Sequence, residues 1–248
     1  MPIEILPLLG LPEIRPGDDI ASAIIQSARA QDIRMRAGDI FVIAQKIVSK
    51  AEGRIVRLDQ VAPSEKARRW AEQWNKDAHL VELVLRESKR IVRMERGVII
   101  AETHHGFVCA NAGVDVSNTD DGTAILLPEN PDASAHTLQM RLSEAFACHV
   151  GVIVSDTFGR AWREGLVNVA LGVAGLSPML DYRGQSDASG KPLQATVIAI
   201  ADEFAAAAEL VMGKSDRIPV AIIRGVKIDS RSGSGADLIR PAEKDLFR

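Results

Sequence analysis

The chain has 248 residues, of which 46% are hydrophobic and 25% charged, and its 30 Lys plus Arg against 33 Asp plus Glu give a formal net charge of −3. A chain of this length buries roughly 70–75% of the surface it exposes unfolded, which suffices for one core with subdomains. The slightly acidic balance argues against a nucleic-acid grip or a polybasic membrane surface, and no apolar run approaches the roughly 20 residues that span a bilayer.

The first stretch, Met1 to Pro7, carries no basic region ahead of its short apolar run, unlike a signal peptide, so a cytoplasmic protein is expected. Gly10 to Asp19 is rich in turn formers. Ile20, Ile24, Ile25 and Ala28 then fall on one helical stripe, capped by Asp18 or Asp19. Ala37-Gly38-Asp39 punctuates the chain before a short buried strand from Ile40 to Ala44, which runs into a basic stretch holding Gln45, Lys46, Ser49 and Lys50. Pro63-Ser64-Glu65 starts a helix with Ala67, Trp70, Ala71 and Trp74 at helical spacing, the tryptophans facing the core. A further helix carries Leu80, Val81, Val84 and Leu85, and residues 98–110 read as a hairpin turning through Thr103-His104-His105-Gly106.

Asp132 to Ser134 reads as the cap of a helix with Leu138, Leu142, Ala145 and Phe146 on one face. A strand over 150–154, a Gly/Ala/Val-rich stretch and a polar loop over 181–192 follow. Thr196 to Ile200 is strand-like, Asp202 to Met212 is an Ala-rich helix stopped by Gly213, and Pro219 to Arg224 is the last clear strand. The Ser/Gly-rich segment over 230–235 reads as a mobile loop or tail. No linker is long enough to separate independent units, so one domain over 1–248 is expected.

Two apolar, β-branched runs each end in an aspartate: Asp115, with Asn118 nearby, after the run from Phe107, and Asp156, with Thr157, Arg160 and Arg163, after the run from Val150. Strand ends of α/β sheets are where ligands tend to sit, and paired carboxylates there suit a hard cation such as magnesium. Cations beside arginines, with Lys50 at another strand exit, suit phosphoryl chemistry, whose transition state spreads negative charge over the phosphoryl oxygens. No Gly-x-x-x-x-Gly-Lys-Ser/Thr, no Gly-x-Gly-x-x-Gly between strand and helix and no Gly-x-Ser-x-Gly is present. Cys109 and Cys148 lie far apart without metal-ligand spacing and read as core thiols. His104 and His105 are neighbours, whose side chains leave a strand on opposite faces, a poor geometry for sharing a metal. The residues alone thus point to a metal-dependent phosphate-handling enzyme.

At these positions the chain resembles the coenzyme F420 gamma-glutamyl ligase family. The resemblance rests on Gly10-Leu11-Pro12, Ser49 to Arg54, Asn111 to Asn118, Ser155 to Arg160 with Arg163 and Gly165, Ala201-Asp202-Glu203, Met212-Gly213 and Arg224-Gly225, in the family's order. It implies an α+β fold of mixed β-sheets with flanking helices, an intertwined homodimer, and a single ligase domain without the nitroreductase-like domain that some relatives carry. It also implies GTP-dependent ligation of L-glutamate to a deazaflavin acceptor, assisted by two divalent cations (Mg or Mn) and a monovalent cation such as K. Carried over by position, Asp115 and Asp156 resemble ligands of the first divalent metal and Thr157 a ligand of the second. Leu9, Gly10, Leu11, Pro12, Gln45, Lys50, Asn118, Met212, Gly213 and Lys214 fall where the family holds GTP.

The chain departs from the family at Lys214, where Glu is common as a ligand of the second metal. Three outcomes stand: Asp216 takes over, the lysine replaces the metal's charge, or the second site is weakened. Arg160 and Arg163 are read either as holding phosphate oxygens or as structural anchors. Rival functions are the same ligation on a pterin- or folate-like acceptor, a non-catalytic GTP- or deazaflavin-binding protein, and a metal-dependent phosphatase.

Overall fold

A computed structural model describes residues 2–117, 119–227, 229 and 232–246. In chain order the elements are β1 (Glu4–Pro7), α1 (Ile20–Ala30), β2 (Ile40–Ala44), α2 (Gln45–Ala51), β3 (Ile55–Arg57), α3 (Glu65–Trp74), α4 (Ala78–Arg86), β4 (Ser88–Glu95), β5 (Val98–Thr103), β6 (Val108–Ala110), β7 (Thr123–Ile125), α5 (Pro131–Phe146), β8 (Gly151–Arg160), β9 (Arg163–Ala174), β10 (Leu180–Asp181), β11 (Val197–Ile198), α6 (Ile200–Met212) and β12 (Val220–Arg224).

The central sheet has the order β1-β12-β2-β8-β9. Only the β2–β8 pair is parallel, so the sheet is mixed, and the expected α+β class holds. Alternation along β2 explains its unbroken apolar sequence. Phe41 and Ile43 join the core under α1 and α5, with Ile24, Leu138 and Leu142, while Ile40 and Val42 join the core under α6, with Ala205 and Ala208. A third core lies beneath α3 and α4 and takes in Ala67, Ala71, Val84, Ile99 and Ala101. The β4-β5-β6 sheet supplies the last two of these residues.

Asp19 caps α1, accepting from the Ser22 amide at 3.1 Å, and its carboxylate takes both Arg141 nitrogens at 2.5 and 2.6 Å, tying α1 to α5. The Arg141 guanidinium and the Ser22 bonds hold the Asp19 carboxyl well below the usual carboxylate range. The edge strand β9 is closed by side chains: Asp202 Oδ1 accepts from the Ala170 amide at 2.8 Å and Asp132 Oδ1 from the Val173 amide at 2.9 Å. Helix α5 abuts the same strand so closely that a Cβ on Gly172 would lie 2.1 Å from the Pro131 carbonyl oxygen.

Several expectations change. The cap of α5 is Asn130, whose Oδ1 accepts from the Ala133 amide with Pro131 at the first helical position, and Asp132 is thereby released to bind β9. Ser230 and Arg231 lie outside the described residues. The rest of the Ser/Gly segment is docked, because the Gly235 amide donates to Asp132 Oδ1 at 2.6 Å and a short 3-10 turn, Gly235–Leu238, follows. Strand β4 went unforeseen because two register shifts break its period, burying roughly every third residue instead of every second. Trp70 and Trp74 are only partly buried, and Trp70 Nε1 donates to the Met94 carbonyl at 3.4 Å.

Candidate functional site

β2 stops before its neighbour does. Ala44, its last residue, pairs with Ser155, and the chain turns at once into α2, whereas β8 continues to Arg160. Asp156 therefore does not end its own strand, as its sequence suggests. It lies inside β8 opposite Val169 of β9, and is at a rim only on the side where β2 has gone. Asp156 and Thr157, being consecutive, leave the strand on opposite faces and straddle this gap.

Asp115 arrives from another direction. Asn111 and Ala112 both adopt left-handed backbone (φ 53° and 50°), which folds the chain tightly after β6 and sets Asp115 in a two-bond bridge with Ile125, at 3.0 and 2.8 Å. Its carboxylate meets Lys46 of α2: Lys46 Nζ lies 2.8 Å from Asp115 Oδ2 and also donates to the Ser117 carbonyl at 2.9 Å. The Ser117 amide donates to Asp115 Oδ1 at 2.6 Å. Burial pushes the Asp115 carboxyl up, but the Lys46 ammonium and the Ser117 bonds outweigh it and hold the group below its ordinary value.

Asp156 has the opposite balance. Desolvation raises its carboxyl to about 6; the Asp115 charge adds to the rise, and the Thr157 amide, Lys214 and Lys46 offset only part of it. A carboxylate with so little compensation beside a second one is a donor set that a hard cation would complete. Among the described residues no cluster of three or more His, Cys, Asp and Glu accompanies the pair.

On the other face, Lys214 Nζ donates to Thr157 Oγ1 at 2.6 Å, Thr157 Oγ1 donates to Asn168 Oδ1 at 2.7 Å, and Asn168 Nδ2 donates to Glu209 Oε2 at 2.8 Å. The Thr157 hydroxyl thus has an ammonium in the place where a second cation was expected. The Asp216 carboxylate lies against Gly213, within 2.6 Å of where a Cβ would be, and accepts from Ser215 Oγ at 3.1 Å.

The remaining predicted residues divide into groups. Leu9 is held by α1: its amide donates to Gln31 Oε1 at 3.2 Å and its carbonyl accepts from Gln31 Nε2 at 3.0 Å and from Ser27 Oγ. Gly10, at φ 74°, opens the loop through Leu11 and Pro12, which ends at Glu13 in an ion pair with Lys50. Lys50 thus points to this loop and not to the acids. Gln45, 2% exposed, accepts from Ser49 Oγ at 2.8 Å inside α2. Met212 is buried and Gly213 ends α6. Arg160 and Arg163 face each other near the tip of the β8–β9 hairpin, both exposed; Arg160 Nη2 donates to the Glu164 carbonyl, and among the described residues neither forms a salt bridge. Asn118 lies outside the described residues.

Sequence reasoning missed Lys46, Asn168 and Glu209 as site residues. Lys46 had a signal, a lysine in the first turn after a buried strand. Asn168, 5% exposed amid an apolar strand, had one too.

This arrangement defines an α+β protein whose polar site sets two neighbouring carboxylates between two ammonium groups at the point where the middle strand of its sheet stops. The sequence model of the family F420-0:Gamma-glutamyl ligase matches residues 9–225, and the chain belongs to that family. It is 49% identical over 251 residues to the coenzyme F420:L-glutamate ligase of Methanothermobacter thermautotrophicus, covering 100% of both chains. It is 45% identical over 241 residues to the protein of that name from Methanopyrus kandleri (95% of this chain, 94% of that one). Against the one from Methanocaldococcus jannaschii it is 44% identical over 242 residues (97% and 95%). Among the described residues no helix is long and apolar enough to cross a membrane.

Proposed function

We propose that this protein is a GTP-dependent ligase that joins L-glutamate through an amide bond to the deazaflavin acceptor coenzyme F420-0, adds further γ-linked glutamates, and works as a cytoplasmic homodimer. The observation that carries the reading is the junction of Asp115, Lys46, Asp156, Thr157 and Lys214 at one rim, in a chain alike from end to end to proteins named for this reaction. The acceptor's terminal carboxylate oxygen attacks the γ-phosphorus of GTP, the bond to the β-phosphate oxygen breaks, and GDP leaves. Glutamate's amine then attacks the resulting acyl phosphate; phosphate departs, the amine loses a proton, and the amide remains. A divalent cation held by Asp115 and Asp156 would neutralise phosphate charge. Lys46 keeps Asp115 ionised and oriented for that ion, and Lys214 presents its ammonium on the Thr157 side, where it can neutralise a phosphate oxygen. Gln45, Lys50 and the Leu9 to Pro12 loop bind the nucleotide, a monovalent cation such as K would add positive charge near the phosphates, and Arg160 and Arg163 hold the acceptor.

Incubation of F420-0 with the protein, GTP, glutamate, magnesium or manganese, and potassium yields products spaced by one glutamyl unit in the mass spectrum. An unaltered acceptor, with folded protein and bound GTP, would refute the assignment.

Lys214 gives a second test. Calorimetric titration with manganese in the presence of a non-hydrolysable GTP analogue finds one tightly held ion per chain in the wild type and a second in Lys214→Glu, because the substitution exchanges an ammonium for a carboxylate beside Thr157. Two tight ions in the wild type exclude charge replacement by the lysine.

A further inference from the structure

A cleft of about 250 Å³ lies beside the β8–β9 strands that carry Asp156; its walls include Phe107, Val108, Phe158, Val169, Asp202 and Arg240. It neighbours the site along β8 and β9. Phe158 is two residues beyond Asp156 and so leaves β8 on the same face, roughly 7 Å along the strand, and Val169 is the residue paired with Asp156 across the β8–β9 ladder.

The lining has the character of a ring site. Phe107 and Phe158 stand edge to face, 6.2 Å between centroids at 74°, and His105 stacks behind Phe107 at 5.8 Å. Two partly exposed aromatic rings so arranged offer an apolar surface to a planar ligand. Asp202 supplies directionality: its Oδ1 is used by the Ala170 amide at 2.8 Å, while Oδ2 has no hydrogen bond among the described residues. Arg240 adds a cationic group. The volume is below the roughly 300–1,000 Å³ of drug-sized pockets, so it suits one ring system and not a whole nucleotide.

Position separates this cleft from the Leu9 to Pro12 end of the nucleotide residues. The Leu9 to Pro12 loop and its Glu13–Lys50 pair lie by β1 and α1, and β1 and β9 are opposite edges of the sheet. Asp156 lies on β8, next to the β9 edge, with β2 and its Lys46-bearing helix toward the other. A ligase joining two bound molecules needs the transferred phosphoryl group between them, and the rim acids occupy that middle position.

We propose that this cleft seats the fused heteroaromatic ring of the acceptor, with Phe107 and Phe158 against the ring and Asp202 accepting a hydrogen bond from a ring N–H. The assignment rests on the deazaflavin reading given above and adds the place where that ring binds.

The test measures two affinities on the full-length protein: F420-0 by fluorescence titration without nucleotide, and GTP by calorimetry without acceptor. Phe158→Ala and Asp202→Asn each weaken acceptor binding about tenfold and leave GTP binding within about twofold. Asp202→Asn is nearly isosteric and keeps an oxygen for the Ala170 amide, which guards against loss of fold as the explanation. Acceptor affinity that survives both substitutions overturns the cleft assignment while leaving the ligase reading intact. Loss of GTP affinity instead identifies the cleft as the guanine site and also overturns it. A wild-type protein that neither binds nor elongates F420-0 overturns the deazaflavin reading itself, and the cleft assignment with it.

Discussion

Asp156→Asn lowers turnover by at least about a hundredfold and, in the same protein, raises the stability of the ligand-free fold at pH 8. Both effects come from one carboxylate placed where burial disfavours its charge. Its pKa is raised from 3.8 to about 6 in the folded protein. Between these values the native state holds a proton that the unfolded chain has lost, so the group's contribution to stability falls as the pH rises through about 6. Above that value the ionised group costs the native state about 3 kcal/mol, taking two pKa units at 1.36 kcal/mol each. The asparagine removes this cost but also removes a carboxylate oxygen and a charge that the proposed divalent cation would need. Urea unfolding at pH 5 and pH 8, without metal, should show the variant's advantage grow toward pH 8. Added magnesium should then stabilise the wild type and leave the variant unmoved. An advantage that shrinks toward pH 8, or near-normal turnover in the variant, contradicts the argument.

Arg224→Met destabilises the protein by about 3–5 kcal/mol, the loss expected when one partner of a buried ion pair is removed. Arg224 is 8% exposed and its Nη2 lies 2.7 Å from Asp39 Oδ2, with Asp39 2% exposed. The same nitrogen donates to the Arg34 carbonyl at 3.3 Å, and Asp39 Oδ2 also accepts from the Arg36 amide at 3.0 Å. The pair sits at the end of the sheet remote from the acids, where Ile223 of β12 pairs with Ile40 of β2, and it fastens the two strands in register. Methionine fills most of the volume but strands the Asp39 charge in a low-dielectric interior. Arg224→Met combined with Asp39→Asn should recover part of the loss in chemical denaturation, since the uncompensated charge is then gone. Equal stability of wild type and single variant would show that the pair contributes nothing.

Much of the fold could be read from the chain because its central elements obey simple periods. Helix α1 falls at 20–30 as its Ile stripe requires, β2 occupies Ile40–Ala44, and α6 stops at Gly213. What failed was long-range or irregular. The bulges of β4 erase alternation. The Asn130 cap outranked Asp132 because Asp132 had partners, Val173 and Gly235, that only tertiary contact reveals. The site was legible in part for the same reason. Asp115 and Asp156 stood out as acids after apolar runs, but residue order cannot say that β2 ends at the level of Ser155, or that Lys46 and not Lys50 turns toward Asp115. The family resemblance pointed to Lys214, as a departure from the usual Glu, whereas its bond to Thr157 needed three dimensions.

The early stop of β2 also bears on the entropy of the site. Asp156 and Thr157 belong to a strand still laddered to β9, and Lys46 to a helix rooted directly on the strand that stopped. Groups mounted on such elements have already lost their backbone freedom during folding, and little is left to lose when a substrate arrives. Free energy of association can then go into orienting the reactants instead of ordering the protein.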